Sequence, residues 1–261
     1  MQSLINQQLI AAAKTNQINN LKNLLSQGAD MHADDDGALK FAACYGHLEI
    51  VKFLVTQGAN IHANDDVALR WSAACGHLEV VKLLVTQGAN IHSNDDEALR
   101  KAAQKGHLET VKFLVLPDLG SVAIAHGANI HANDDEALRW ASKYGHLEIV
   151  KFLVAKGANI HAHNDNDNDN DNALSWAAYN GHLEVVKFLV TQGANIHANN
   201  DEALKNSTLN KHYDVWQALS AFIQEERLLE AASDSIQELS SAESAPKTKR
   251  PSITKAKRSK I

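Results

Sequence analysis

Histidine is the residue type with the most chemistry to offer in this sequence: there are fourteen, against two cysteines and three prolines in 261 residues. Their spacing argues against a metal centre. His32, His62, His92, His131, His161 and His197 each follow Ile or Met, at intervals of 30, 30, 39, 30 and 36 residues, and His47, His77, His107, His146 and His182 each follow a glycine. One histidine per unit, on helices stacked about 8–10 Å apart, cannot converge on a zinc ion that needs three or four ligand atoms within about 2.3 Å. Such a series is a ladder of structural hydrogen bonds, and no metal site is predicted. The run from His163 to Asn172 sets Asp165, Asp167 and Asp169 like the first ligands of a calcium loop. Counting from Asp165, the places that require Gly and Glu hold Asn170 and Trp176, so the run reads as an expanded, solvated loop. A Gly-rich phosphate loop, a nucleophile elbow and a zinc-protease histidine pair are all missing. Neither Cys44 nor Cys75 has a His or Asn beside it outside the repeat pattern. No catalytic residue, cofactor or enzymatic activity is predicted.

The elements that carry these residues follow from the period. The unit from Ile61 reads IHANDDVALRWSAACGHLEVVKLLVTQGAN. Asn64-Asp65-Asp66 offers oxygens that would cap a helix N-terminus, and Asp35-Asp36, Asp95-Asp96 and Asp134-Asp135 repeat the signal. A short first helix ends at Gly46, Gly76, Gly106, Gly145 or Gly181, and a second follows with Leu78, Val81, Leu84 and Val85 on one face. Gly-Ala-Asn-Ile-His then leads to the next unit. Helices this short are marginal alone, so neighbouring units must supply each other's core, and the architecture is an all-α helical solenoid. Small pairs such as Ala42-Ala43, Ala73-Ala74 and Ala102-Ala103 allow close helix approach, and Glu/Lys pairs such as Glu79/Lys82 sit on the outside.

The turn Gly-His-Leu-Glu-Val-Val-Lys-Leu-Leu (76–84) and the connection Gly-Ala-Asn-Ile-His-Ala (88–93) resemble the ankyrin-repeat signature. The first helix opens differently, with Gly37-Ala-Leu-Lys40, Val67-Ala-Leu-Arg70 or Glu97-Ala-Leu-Arg100 where the family usually has Thr-Pro-Leu-His. The unit is also about three residues short of the family's usual length, with the loss falling in the finger. In this it is similar to the short-finger ankyrin arrays of giant amoeba-infecting viruses. The resemblance implies helix-turn-helix units with short hairpin fingers, about seven in all. An N-terminal capping repeat is placed at 4–33, and repeats at 34–63, 64–93, 94–132 (with an insertion at 116–126), 133–162 and 163–198 (with the Asn/Asp insertion). A degenerate C-terminal cap covers 199–229 and a disordered basic tail 230–261. The resemblance further implies that the row Phe41, Trp71, Trp140 and Trp176 packs between repeats. It places the variable positions Tyr45, Cys75, Gln104, Lys105, Lys143, Tyr144, Tyr179 and Asn180 on a concave face that binds a protein partner. The expected function is a non-catalytic interaction scaffold, acting as a monomer.

Charge divides the chain. The net charge is −6, but the last sixteen residues hold seven Lys or Arg and no acid, which leaves −13 for residues 1–245. The clusters Lys247, Lys249, Arg250 and Lys255, Lys257, Arg258 suit nuclear import or phosphate contact. The tail offers one alternative, a nucleic-acid-associated or nuclear factor, and the ankyrin resemblance implies another, an adaptor that recruits host degradation machinery. No apolar run reaches membrane-spanning length, and the first residues lack the zones of a signal peptide. Two cysteines are too few for a disulfide framework. An intracellular location, cytoplasmic or nuclear (in a host cell if the chain is viral), is therefore expected, with no membrane partner.

Overall fold

The structure is a computed structural model that describes residues 2–116, 127–162 and 172–244. Most of the 116–126 insertion, the Asn/Asp run up to residue 171 and the basic clusters of the tail lie outside the described residues. Those described form fourteen helices and no strand. First helices of the units are α1 (Gln2–Lys14), α3 (Ala33–Cys44), α5 (Ala63–Ala74), α7 (Ser93–Lys105), α9 (Ala132–Lys143), α11 (Asn172–Tyr179) and α13 (Ala198–Leu209). Second helices are α2 (Ile18–Ser26), α4 (Leu48–Thr56), α6 (Leu78–Thr86), α8 (Leu108–Val115), α10 (Leu147–Ala155), α12 (Leu183–Thr191) and α14 (Tyr213–Ser244). Two compact units divide at Leu219, and the repeat array belongs to the first.

Within the array the odd-numbered helices press together along their length, while the even-numbered ones meet at fewer points. Side-chain size is the cause. Ala42, Ala43, Ser72, Ala73, Ala102, Ala103, Ala141, Ser142, Ala177 and Ala178 are all fully buried. The small pair of the third unit is thus Ser72-Ala73, and Ala74, expected in that pair, is only half-buried. Branched aliphatic side chains fill the remaining core, among them Leu39, Leu69, Leu99 and Leu138 on first helices and Leu54, Leu84, Leu114 and Leu153 with neighbouring valines on second helices. The i,i+3 pairs Glu49/Lys52, Glu79/Lys82 and their counterparts are formed but exposed, so each contributes little.

The Asn-Asp-Asp segments do not cap helices. Asn64, Asp65 and Asp66 have φ of 50, 54 and 56°, and the same left-handed turn recurs at 34–36, 94–96, 133–135 and 199–201. No side-chain cap is formed at any of these starts, and the expected hairpin finger is replaced by this turn. Left-handed backbone costs about 1–2 kcal/mol per residue for most side chains, with Asn and Asp tolerating it best. The third residue of the turn recovers that cost. Asp66 is buried; its Oδ1 accepts from His62 Nδ1 at 2.9 Å and from the backbone N–H of Asn90, in the connection that leads into the next unit, at 2.9 Å. Asp36 with Asn60, Asp96 with Asn129 and Asp135 with Asn159 repeat the link. Arg70 closes the turn from the other side, donating to the carbonyls of Asn64 and Asp65.

A second link joins neighbours at the glycine turn. His77 Nε2 donates to the carbonyl of Cys44 at 3.0 Å, and His107, His146 and His182 reach back in the same way to Ala74, Gln104 and Lys143. The ring of His107 lies against Gly76, where a Cβ would come within 2.4 Å of its Nδ1. The histidine ladder is thus one of inter-unit hydrogen bonds. The chain flanking the 116–126 insertion keeps register as well. Ala128 N–H donates to Leu114 O at 2.8 Å, the counterpart of Ala89 to Leu84, and α9 stacks on α7.

At the C-terminal end, Val215 and Leu219 are fully buried, whereas Trp216 is exposed. The expectation of disorder from residue 230 is corrected over 230–244, which continue α14. This stretch is rich in Ser, Ala and Glu, has no Gly or Pro, and ends just before Pro246, which disfavours helix at the residue preceding it.

Two stability measurements check this packing. Leu84→Ala is expected to cost roughly 2–5 kcal/mol in urea unfolding; a loss under about 0.5 kcal/mol would place Leu84 outside the core. Gly76→Ala should destabilise more than Gly88→Ala, by at least about 1 kcal/mol, because both have positive φ but only Gly76 faces a histidine ring. Measured in a His107→Ala background, the cost of Gly76→Ala should fall to about that of Gly88→Ala.

Candidate functional site

Three positions of each first helix are left over once the core and the inter-unit links are assigned. The first row runs Ala11, Phe41, Trp71, Lys101, Trp140, Trp176, Asn206; the second Lys14, Cys44, Ala74, Gln104, Lys143, Tyr179, Leu209; the third Thr15, Tyr45, Cys75, Lys105, Tyr144, Asn180, Asn210. No Asp or Glu occurs in any of them. The array is acidic overall, yet this face carries only positive charge between its aromatic rings.

The rows meet as two aromatic clusters separated by a polar step. In the first, Phe41 and Trp71 lie 5.9 Å apart between centroids, Lys14 Nζ sits 3.7 Å over Phe41, and Tyr45 stacks on His47. In the second, Lys143 Nζ lies 3.8 Å from the Trp176 ring and 4.9 Å from Trp140, while Tyr144 stacks on Trp140 at 5.8 Å and Tyr179 meets Trp176 edge-on. Between them Lys101, Gln104 and Lys105 hold the step, with Lys101 donating to Gln104. The rings are preorganised by these contacts and remain accessible: Tyr45, Tyr144 and Tyr179 are 53%, 46% and 45% exposed.

All eight expected partner residues fall on this face. Tyr45, Cys75, Lys105, Tyr144 and Tyr179 are exposed, while Gln104, Lys143 and Asn180 are half-buried. Phe41, Trp71, Trp140 and Trp176, expected to pack between repeats, are half-buried or exposed and form the floor of the clusters. The signal for this was their breakage by Lys101 and Asn206, residues a buried row would not admit. Lys14, in the first capping unit, also belongs here and was not expected.

Two ion pairs behind the face went unread in the sequence. Arg70 reaches Glu97 of the next unit and Arg100 reaches Glu136, both arginines being mostly buried. The separation is 27 residues in one case and 36 in the other, because the insertion intervenes. Glu136 Oε1 also accepts from the Trp140 indole at 2.5 Å, which fixes that ring. Burial pushes the Glu97 and Glu136 carboxyls up. Arg70 outweighs this at Glu97, and Trp140 with Arg100 does so at Glu136, so both end below the ordinary value. Among the described residues no three His, Cys, Asp or Glu side chains are grouped to hold a metal ion.

This arrangement, stacked helix pairs with a variable face along one layer, defines an α-helical repeat protein. The family model for ankyrin repeats (3 copies) matches residues 9–95, 69–164 and 161–225, and the chain belongs to the ankyrin-repeat family. The crystal structure of the human ASB11 ankyrin repeat domain is similar in fold, with a TM-score of 0.64 and 24% identity over 82% of this chain and 96% of that one. No curated protein matches the chain. Ankyrin repeats are a non-catalytic fold that generally mediates protein–protein interaction. No helix among the described residues is long and apolar enough to cross a membrane.

The lowered carboxyls set a pH dependence. A carboxyl held low in the folded state stabilises the fold above its unfolded-state pKa, and that contribution is lost as the pH falls through the folded value. The Arg70–Glu97 and Arg100–Glu136 pairs therefore act fully at neutral pH and fade in acid. The thermal midpoint of the wild type should fall further between about pH 6 and about pH 3 than that of the Glu97→Gln/Glu136→Gln variant.

Proposed function

We propose that the chain is a non-catalytic scaffold that binds a protein partner across the face formed by α3, α5, α7, α9 and α11. The observation that carries this reading is the pair of aromatic clusters with lysines among them and no acid in any row, on an array whose net charge is negative. Aromatic side chains held by stacking present large contact area at little entropic cost, and such residues dominate binding energies at interfaces. The complementary partner is an acidic segment with apolar side chains, its carboxylates meeting Lys14, Lys101, Lys105 and Lys143. Because the linking residues are the same in every unit and the facing residues differ, partner choice resides in the latter. The left-handed turn in place of a hairpin supports a kinship with short-finger viral arrays, and an intracellular, monomeric protein suits this role.

The basic segment 246–261 has a separable role in import or weak phosphate contact. Seven neutralised phosphates would give a log–log salt slope of about −6 on duplex DNA. The acidic turns oppose that binding, so it should be weak and vanish on truncation after Ala245. Affinity capture from cells tests the main reading. Tyr144→Ala/Tyr179→Ala should reduce recovery of the partner at least about tenfold with the thermal midpoint little changed, and Lys143→Glu should act in the same direction. Truncation after Ala245 should leave capture intact. Undiminished capture by the double variant, or its loss on truncation alone, would overturn the assignment.

A further inference from the structure

The first aromatic cluster contains the chain's two cysteines, and nothing in the scaffold role uses their sulfur chemistry. Cys44 is the last residue of α3 and Cys75 follows the end of α5, in the neighbouring unit; their Sγ atoms are 3.8 Å apart. The pair is not a by-product of repetition. Cys44 corresponds to Ala74 one unit on, and Cys75 to Tyr45 one unit back, so the thiols meet diagonally across the boundary. Other units fill these positions with Ala, Leu, Thr, Gln, Lys, Tyr or Asn, which shows that the fold does not require cysteine there. The backbones beside the sulfurs are tied together, since His77, two residues after Cys75, donates to the Cys44 carbonyl at 3.0 Å.

We propose that Cys44 and Cys75 are an oxidant-sensitive dithiol that closes to a disulfide between the second and third units when it meets a peroxide. Cys75 is exposed and Cys44 half-buried, which orders the steps. The Cys75 thiolate attacks hydrogen peroxide, the O–O bond breaks, and Cys75 becomes a sulfenic acid with release of hydroxide, which the Cys75 proton converts to water. The Cys44 thiolate then attacks Cys75 Sγ, forming the S–S bond and expelling hydroxide, which takes the Cys44 proton to give a second water. Two thiols and one peroxide thus give one disulfide and two waters, each sulfur losing one electron and each peroxide oxygen gaining one. Burial first, then the hydrogen bond and charge of Cys75, push the Cys44 thiol up to about 11. Oxidation of Cys75 to its neutral sulfenic acid removes the charge contribution, so the second thiol is easier to ionise once the first has reacted.

The full-length chain, reduced and then treated with hydrogen peroxide, provides the test. The expected product is a monomer lighter by two hydrogens, with one linked peptide pair containing Cys44 and Cys75, reversed by dithiothreitol and raised in thermal midpoint. Cys44→Ser should instead trap the Cys75 sulfenic acid for dimedone labelling and never lose two hydrogens. Cys75→Ser should slow oxidation at Cys44 at least about tenfold. Sulfinic acid at Cys75 of the wild type without the two-hydrogen loss, or disulfides only between chains, would overturn the proposal.

Discussion

Contact between a glycine of one unit and a histidine ring of the next is the constraint on which the array depends. The ring reaches the carbonyl at the end of the preceding first helix only because Gly46, Gly76, Gly106, Gly145 and Gly181 leave its path open. On the far side of the units built on α3, α5, α7 and α9 the buried third residue of the left-handed turn takes up a backbone N–H from the connection that leads into the following unit. Both links run in one direction along the chain, each unit's helix ends being satisfied by its successor. The first unit meets the same demands with other residues: Asn6 Oδ1 accepts from Asp30 N–H where later units use Asp, and Asn16 adopts the positive φ where they use Gly. At the other end Asp201 is only half-buried, in keeping with its place in the last repeat-derived turn.

These links divide the residues of a unit into two sets. Leu, Ala, Gly, His, Asp and Arg at fixed positions are consumed in holding neighbours together, and they are nearly identical throughout. The side chains of the three rows bond mainly among themselves, touching the linking set only where the Trp140 indole donates to Glu136 and where Tyr45 and Tyr144 stack on His47 and His146. They are where the sequence is free to vary, and they vary within one limit: aromatic, aliphatic, polar or basic, never acidic. The fold therefore separates the energetics of stacking from the chemistry of recognition, and changes to one set need not disturb the other.

Much of this was legible in the sequence because a 30-residue period exposes which positions repeat. The helix pairs, the buried Val81, Leu84 and Val85 of the second-helix stripe and the eight variable positions followed from it, whereas Leu78 of that stripe is only half-buried. Asn64-Asp65-Asp66 was misread because Asn and Asp are favoured both as helix caps and in left-handed backbone, and one sequence cannot separate the two. Trp71 and Trp140 were assigned to the core on size and family habit, although the lysine in their row at 101 already fitted a face open to water. The Arg100–Glu136 pair was hidden by the insertion, which breaks the spacing shown by Arg70 and Glu97. Helix over 230–244 was overlooked because its polar composition resembles disorder, while its lack of helix breakers carried less weight than it should.

The one-way linkage has a consequence for how such a chain arises. Because the units built on α3, α5, α7 and α9 offer the same carbonyl and glycine to their successor's histidine and the same carboxylate to the connection that leads into it, their joints are interchangeable. A duplicated gene segment of one period inserts a unit whose two boundaries already match, and a deleted one leaves matching boundaries behind. Copy number can then drift under recombination without selection having to repair the seams, and each new copy arrives with three positions ready to diverge.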